Sequence, residues 1–266
     1  MKLLPIRRYA GIYRMLLRTS LIRDMNFKAN FWLWIVVEGL WFFLQLAFIQ
    51  VIFSQTESVA GWNKFEMILL VGTNHLIAQF FQAFCYQGLA EVPDLVRTGR
   101  LDFWLLQPVD SQFVVALRRF GADSLVNVAI GFVFVGYACV QLRLDVSWAS
   151  ASLYLLLVCS GILIHFSLLS LLVTLSFWIV RAQGLVFGYY NLFNISRIPE
   201  DAFRGFARVF FTWVLPMLVV ANIPAKVILH FHWRQGLAMI GMSMVLAWIS
   251  HRVWRWALAH YTSASS

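Results

Sequence analysis

Residues 146–180, VSWASASLYLLLVCSGILIHFSLLSLLVTLSFWIV, form an apolar stretch that decides the class of fold. These 35 positions contain no Asp, Glu, Lys or Arg, and one histidine, His165. A helix needs about 20 apolar residues to cross the roughly 30 Å hydrocarbon core of a bilayer. The stretch is long enough, so it predicts a membrane-spanning helix.

Two earlier stretches have the same character. Residues 29–56 carry one charged side chain, Glu38, and residues 67–90 carry none. Apolar residues make up 61% of the chain, charged residues 12%, and the mean hydropathy is +0.74. A soluble domain has about 25% charged residues, so about half of its expected polar surface is missing here. We therefore predict an all-α integral membrane protein with a single transmembrane domain over residues 1–266.

The hydropathy pattern predicts six transmembrane helices and a re-entrant hairpin before the last of them. The predicted spans are 30–53, 65–88, 114–141, 149–180, 182–196 and 235–253. Residues 198–228 contain several charges together with Pro216 and Pro224, which interrupt helical hydrogen bonding. Such backbone is tolerated at membrane depth only inside protein or beside a cavity. This segment is thus expected to enter and leave from the extracytoplasmic side.

The placement of the basic residues predicts the orientation. With both termini cytoplasmic, about two thirds of the 21 Lys and Arg residues lie on the inner side, as the positive-inside rule requires. The net charge of +9 is therefore assigned to membrane topology, and no nucleic-acid partner is expected. Residues 1–28 are predicted to form an amphipathic interfacial helix, with Tyr13 and Leu16 on one face and Arg14 and Arg18 on another.

Several kinds of chemistry are missing from the sequence. It contains no G-x-x-x-x-G-K-[ST] phosphate loop, no paired-histidine metal motif and no G-x-S-x-G nucleophile motif. Its three cysteines, Cys85, Cys139 and Cys159, lack metal-ligand spacing. We expect no catalytic residue, no metal and no cofactor bound by this chain, so that any ATP would be hydrolysed by a partner.

The polar segment 89–112 is the longest on the predicted cytoplasmic side, and within it residues 91–108 read EVPDLVRTGRLDFWLLQP. Gly99 is suited to ending a helical turn, and Pro108 marks the start of the next element. Val92, Leu95, Val96, Phe103 and Leu106 are predicted apolar anchors for a soluble partner, and Asp94, Arg97, Arg100 and Asp102 a polar rim. The residues alone equally fit an ordinary interfacial loop.

A few polar side chains fall inside the predicted spans. Glu38 lies about 10 Å deep, where a carboxylate is neutral, paired or facing a polar cavity. Gln79 and Gln82 are its predicted partners, and both a structural hydrogen-bond hub and a substrate or proton site remain open. His165, Asn191 and Asn194 are predicted to hydrogen-bond between helices.

The run Gly99-Arg100-Leu101-Asp102, followed by Leu105, Leu106 and Pro108, resembles the signature loop of bacterial ABC-type permeases of the type 2 exporter class. It is most similar to a six-span subgroup encoded beside a second permease and an ATPase. The spacing of Pro199, Pro216 and Pro224 is also similar. The chain departs from the family at Ile198, where an aromatic residue often precedes the proline.

The resemblance implies the permease subunit of an ATP-driven exporter in the bacterial inner membrane. Two six-span subunits, identical or different, would enclose the transport pathway and be surrounded by membrane lipid. Separate ABC ATPase subunits would bind ATP and Mg. It also implies that the 91–108 segment couples to the ATPase, and the predicted coupling residues are Glu91, Asp94, Arg97, Gly99, Arg100, Asp102 and Pro108. The alternatives are a lipid-modifying membrane enzyme using His75, His165 or Glu38, and a non-transporting scaffold.

Overall fold

The computed structural model describes residues 6–26, 28–179 and 182–261, and this part of the chain is a helical bundle. The α-helices, in chain order, are α1 (Ile6–Asn26), α2 (Lys28–Phe53), α3 (Lys64–Phe81), α4 (Gln87–Ala90), α5 (Val92–Arg97), α6 (Leu101–Leu105), α7 (Ser111–Leu117), α8 (Ala122–Gln141), α9 (Trp148–Thr174), α10 (Gln183–Phe193), α11 (Gly205–Val209), α12 (Met217–His230) and α13 (Trp233–Ala259).

Five helical segments among the described residues are long and apolar enough to cross a membrane. They are Phe31–Phe53, Lys64–Arg97, Ala122–Gln141, Trp148–Phe177 and Trp233–Ala259. The predicted all-α membrane fold is confirmed. The second segment continues from α3 through a π-helical turn, Gln82–Tyr86, and its 34 residues extend roughly 50 Å, well beyond the bilayer core.

Two predicted spans have different forms in the structure. The range 114–141 is divided between α7 and α8, because the chain leaves helical geometry at residues 118–121. The range 182–196 contains α10, whose 11 residues rise about 17 Å and cannot cross a bilayer alone. Arg181, where the fourth span was predicted to stop, lies outside the described residues.

Residues 183–201 nevertheless run along the whole of α3. Tyr190 lies beside Tyr86, with ring centroids 6.1 Å apart. Ser196 donates a hydrogen bond to Asn74 at 2.5 Å, and the Trp62 indole donates to Asp201 at 3.5 Å. Helix α3 begins just after Trp62, and the 91–108 segment follows its far end. Residues 183–201 therefore run from the end of the bundle that carries the 91–108 segment (the loop end) to the opposite end (the Trp62 end). After α10 ends, a 3-10 turn (Asn194–Arg197) and extended backbone at Ile198 carry the chain on to the Trp62 end.

The segment after Pro199 folds back at Leu215 and Pro216. Residues Gly205–Val214 and Met217–His230 are bent by 85° to each other, so they do not form one continuous helix. Arg208 near the start and Lys226 near the end both form ion pairs with Glu200 and Asp201. The outer ends of both arms therefore lie at the Trp62 end, as the predicted re-entrant path for 198–228 requires, and that path stays a prediction.

Helix α3 is the central helix, whereas α2 is peripheral. In the most apolar part of each segment, 78% of the residues of the α3 segment are buried, against 11% of those of the α2 segment. Trp32, Val36 and Phe43 of α2, which do not line the cavity described below, are more than 60% exposed. The apolar surface of α2 is thus left for lipid or another protein.

Helix α1 packs at the loop end of the bundle. The Ser20 hydroxyl accepts from the Phe120 amide at 3.2 Å, and the Tyr13 ring lies 6.5 Å from that of Phe113. Arg14 and Arg18 are exposed. The helix has the amphipathic character predicted for residues 1–28, and its position in the lipid headgroup layer stays a prediction.

Candidate functional site

A cavity of about 830 Å³ lies between α2, α3 and α10. Its volume falls in the range of roughly 300–1,000 Å³ that is usual for small-molecule sites. Aromatic rings form much of the wall, and polar groups are interspersed among them. The polar lining residues are Glu38, Gln45, Asn74, His75, Gln79, Gln82, Tyr86, Tyr189, Tyr190, Asn194 and Arg197.

One face of α2 supplies the acidic group of this cavity. Trp34, Glu38, Trp41 and Gln45 recur every three or four residues, so they share a face of the helix. The Glu38 carboxylate accepts a hydrogen bond from Gln79 Nε2 at 3.2 Å. The predicted pairing of Glu38 with Gln79 is therefore present, and the carboxylate faces the cavity as an intramembrane charge requires.

Helix α3 supplies the amides. Gln79 is 2% exposed, and its Oε1 atom has no hydrogen-bond partner among the described residues. Gln82 lies in the π-helical turn that follows α3 and also lines the cavity. Such turns inside α-helices are frequent at functional sites, because they redirect side chains from the regular helical positions.

The third wall comes from α10 and the 3-10 turn after it. Tyr190, Asn194 and Arg197 line the cavity. Asn191 was also predicted to hydrogen-bond between helices, but it is exposed, and its amide donates to the Phe187 carbonyl on its own helix at 3.1 Å. Arg197 was missed as a site residue because its place before Pro199 suggested the end of a span.

His165 lies behind this wall. It is fully buried on α9, its Nδ1 atom is 2.6 Å from the Tyr189 hydroxyl, and its ring stacks on Phe193 at 4.0 Å. The residue thus holds α10 against α9, one layer away from the cavity surface.

His75 does line the cavity, but its ring is engaged in packing. Its Nε2 atom lies 3.2 Å from the Asn127 carbonyl oxygen, and the ring stacks on Phe42 at 4.0 Å. Of Glu38, His75 and His165, the first two line the cavity and the third lies behind its wall. The arrangement is suited to binding a molecule.

The apolar residues of the 91–108 segment divide into buried and exposed ones. Gly99 has φ +67° and ends α5 as predicted, and α6 follows. Val92, Leu95 and Val96, three of the predicted anchors, are buried in the chain's own core, because α5 continues the α3 segment into the bundle. Phe103 and Leu106 are 62% and 83% exposed. The surface available to a partner is therefore α6.

The charged residues predicted for the rim also differ in their contacts. Glu91 forms ion pairs with Arg118 and Arg119, so it ties the segment to the α7–α8 junction. Burial lowers the pKa of Arg118, and the adjacent Glu91 opposes that effect. Asp94 pairs with Arg97 at 3.2 Å, and Arg100 donates to Thr98 at 3.0 Å. Pro108 is exposed, and Asp102 is partly exposed on α6.

A buried polar cluster connects this segment to the spans. Gln112 donates to Ser170 at 2.7 Å and to Ser250 at 3.0 Å, and its oxygen lies 3.0 Å from His251 Nδ1. The amide of one α7 residue thereby binds both α9 and α13. Sequence reasoning missed Gln112, since a glutamine at the end of a polar loop gives no sign of burial.

The bundle, with its five long apolar helical segments among the described residues and the cavity between them, is that of a multi-pass membrane protein. The family model described as ABC-2 family transporter protein matches residues 40–265. The chain belongs to this family, and its role is that of a permease subunit. No curated protein and no solved structure matches the chain.

Proposed function

We propose that this chain is half of the translocation pathway of an ATP-driven exporter in a bacterial inner membrane. The family match over residues 40–265 carries the proposal. ATP and Mg bind to separate ABC ATPase subunits, since the sequence holds no phosphate loop. A second permease subunit, identical or related, covers the exposed apolar face of α2.

Coupling runs through the 91–108 segment. Helix α6 presents Phe103 and Leu106 to the ATPase. Gln112 then transmits a displacement to α9 and α13. An ATP-bound partner must favour one conformation by several kcal/mol to change its population substantially. Export as the direction of transport rests on the resemblance of the Gly99–Pro108 run.

The test is joint expression of the tagged chain with the ATPase encoded beside its gene. We expect the ATPase to copurify in stoichiometric amount and to hydrolyse ATP in the reconstituted complex. Inverted vesicles containing the complex should accumulate substrate only with ATP. A chain that purifies without any ATPase, from a membrane in which both proteins are present, would refute the proposal.

The orientation has its own test. We expect cysteines introduced at Ser58 and Gln107 to be labelled from opposite sides of the membrane, Ser58 from the outside, because basic residues favour the inner side. Both positions are exposed, and they lie at opposite ends of the α3 segment. Native Cys85, Cys139 and Cys159 are first replaced by alanine. Labelling of both positions by an impermeant reagent from one side would contradict the topology.

A further inference from the structure

The membrane cavity carries two charged groups of opposite sign. Glu38 and Arg197 both line it, and neither forms an ion pair with another of the described residues. Charged side chains inside a membrane protein are costly unless they are paired or face a polar space, and they commonly mark a substrate path. A ligand with complementary charges would satisfy both groups.

The two charges lie at different depths. Glu38 is bonded to Gln79, whereas Arg197 follows Ser196, which is bonded to Asn74. Asn74 and Gln79 are five residues apart on α3, so the two levels differ by about 7–8 Å along the helix axis. Glu38 lies nearer the loop end, and Arg197 lies nearer the Trp62 end.

The surroundings of Glu38 specify a hydrogen-bond donor. Gln79 Oε1 is buried and lacks a partner among the described residues, and buried polar atoms are nearly always hydrogen-bonded. That oxygen is closed off from the cavity, so a ligand meets the Glu38 carboxylate, and an ammonium group matches it with a positive charge and three N–H donors. Trp34 and Trp41, one helical turn away on either side, add faces that attract cations.

We propose that the cavity binds an amphiphile whose polar end carries a primary ammonium group and an anionic group. The ammonium binds Glu38, which Gln79 holds in place, the anionic group binds Arg197, and the apolar part packs on the aromatic wall. As a statement about transported cargo, the inference rests on the proposed function. As a statement about binding, it rests on the cavity alone.

The wild-type protein provides the first measurement. The probes are phosphatidylethanolamine, phosphatidylcholine and phosphatidylglycerol with identical short chains, bound to the purified protein and counted by native mass spectrometry. Phosphatidylcholine has no N–H donor, and phosphatidylglycerol has no ammonium. We expect phosphatidylethanolamine to bind about tenfold more tightly than the other two. Equal binding of all three would overturn the proposal without any variant.

Substitutions then assign the contacts. We expect Glu38→Gln to weaken phosphatidylethanolamine binding about tenfold while leaving phosphatidylglycerol binding unchanged. Arg197→Gln should weaken both lipids alike, and Arg197→Lys should restore part of the loss. Glu57→Gln and Arg234→Gln change exposed charges outside the cavity and serve as matched controls. Wild-type selectivity in Glu38→Gln would overturn the assignment.

Two sources could supply this chemistry, and competition distinguishes them. Displacement of the short-chain probe by long-chain phosphatidylethanolamine in a nanodisc indicates a membrane lipid. Displacement by the soluble dipeptide Phe-Phe, which carries an ammonium and a carboxylate, indicates a free amphiphile. Failure of both competitors would count against the proposal.

The same sample is assayed for its ATPase, so that the two proposals fail separately. A complex that retains the ATPase but shows no headgroup selectivity overturns the cavity inference alone. Selective binding by a chain that assembles with no ATPase overturns the proposed exporter function and leaves the cavity inference standing.

Discussion

Introducing a charge at the exposed tip of α6 should separate the chain from its ATPase. We expect Leu106→Asp, alone and with Phe103→Asp, to reduce ATPase copurification about tenfold or more, because a buried apolar anchor at an interface is worth on the order of 2 kcal/mol. The side chains are 83% and 62% exposed, so the substitutions remove no contact in the chain's own core. Copurification is measured by quantitative immunoblot against the tagged chain.

The matched control places the same charge at the other end of the bundle. Val146→Asp lies in the turn between α8 and α9, where the side chain is 40% exposed. We expect wild-type ATPase recovery for this variant and unchanged membrane insertion for all three. Wild-type recovery and transport in the Phe103→Asp, Leu106→Asp double variant would show that α6 is not the docking surface.

Adding one methyl group at Gly88 should destabilise the protein strongly. A Cβ atom there would collide with the Ala116 carbonyl oxygen and lie 2.5 Å from that of Val115. Both obstacles are backbone atoms of α7, which cannot rotate away, so α4 and α7 would have to separate. We expect Gly88→Ala to lower the free energy of unfolding by on the order of 3 kcal/mol, the upper end for overpacking. Thermal unfolding in detergent, followed by tryptophan fluorescence, measures the change.

Gly136→Ala is the control for that measurement. A Cβ atom at Gly136, also within a helix, would have no neighbour within 4 Å. We expect its stability to stay within about 0.5 kcal/mol of wild type, as for most surface substitutions. Similar unfolding temperatures for the two variants would mean that α4 and α7 do not approach each other as closely as described. The close approach matters because it joins the 91–108 segment to α7, whose Gln112 contacts the spans.

Local hydropathy is enough to predict the class of fold and the positions of α2, α3, α9 and α13. Transfer of a helix into lipid is a sum over its own residues, so a charge-free run such as 146–180 is enough to predict α9. A local signal also predicted the end of α5 at Gly99, which has a positive φ. The start of α3 has a local cause as well, the reciprocal cap of Asn63 and Glu66, which the hydropathy pattern did not reveal. Each of these depends on residues close together in the chain.

Other polar contacts could not be predicted without the tertiary fold. Arg197 lines the same cavity as Glu38, and Gln112 bonds to Ser250 across 138 positions. Such contacts depend on which faces of different helices turn toward each other, and no local sum of hydropathy contains that information. For the same reason, two apolar residues of one loop differ in exposure: Val92 is buried and Leu106 is exposed. The helix that continues from α3 carries Val92 into the core, whereas α6 turns away after Gly99 and leaves Leu106 at the surface.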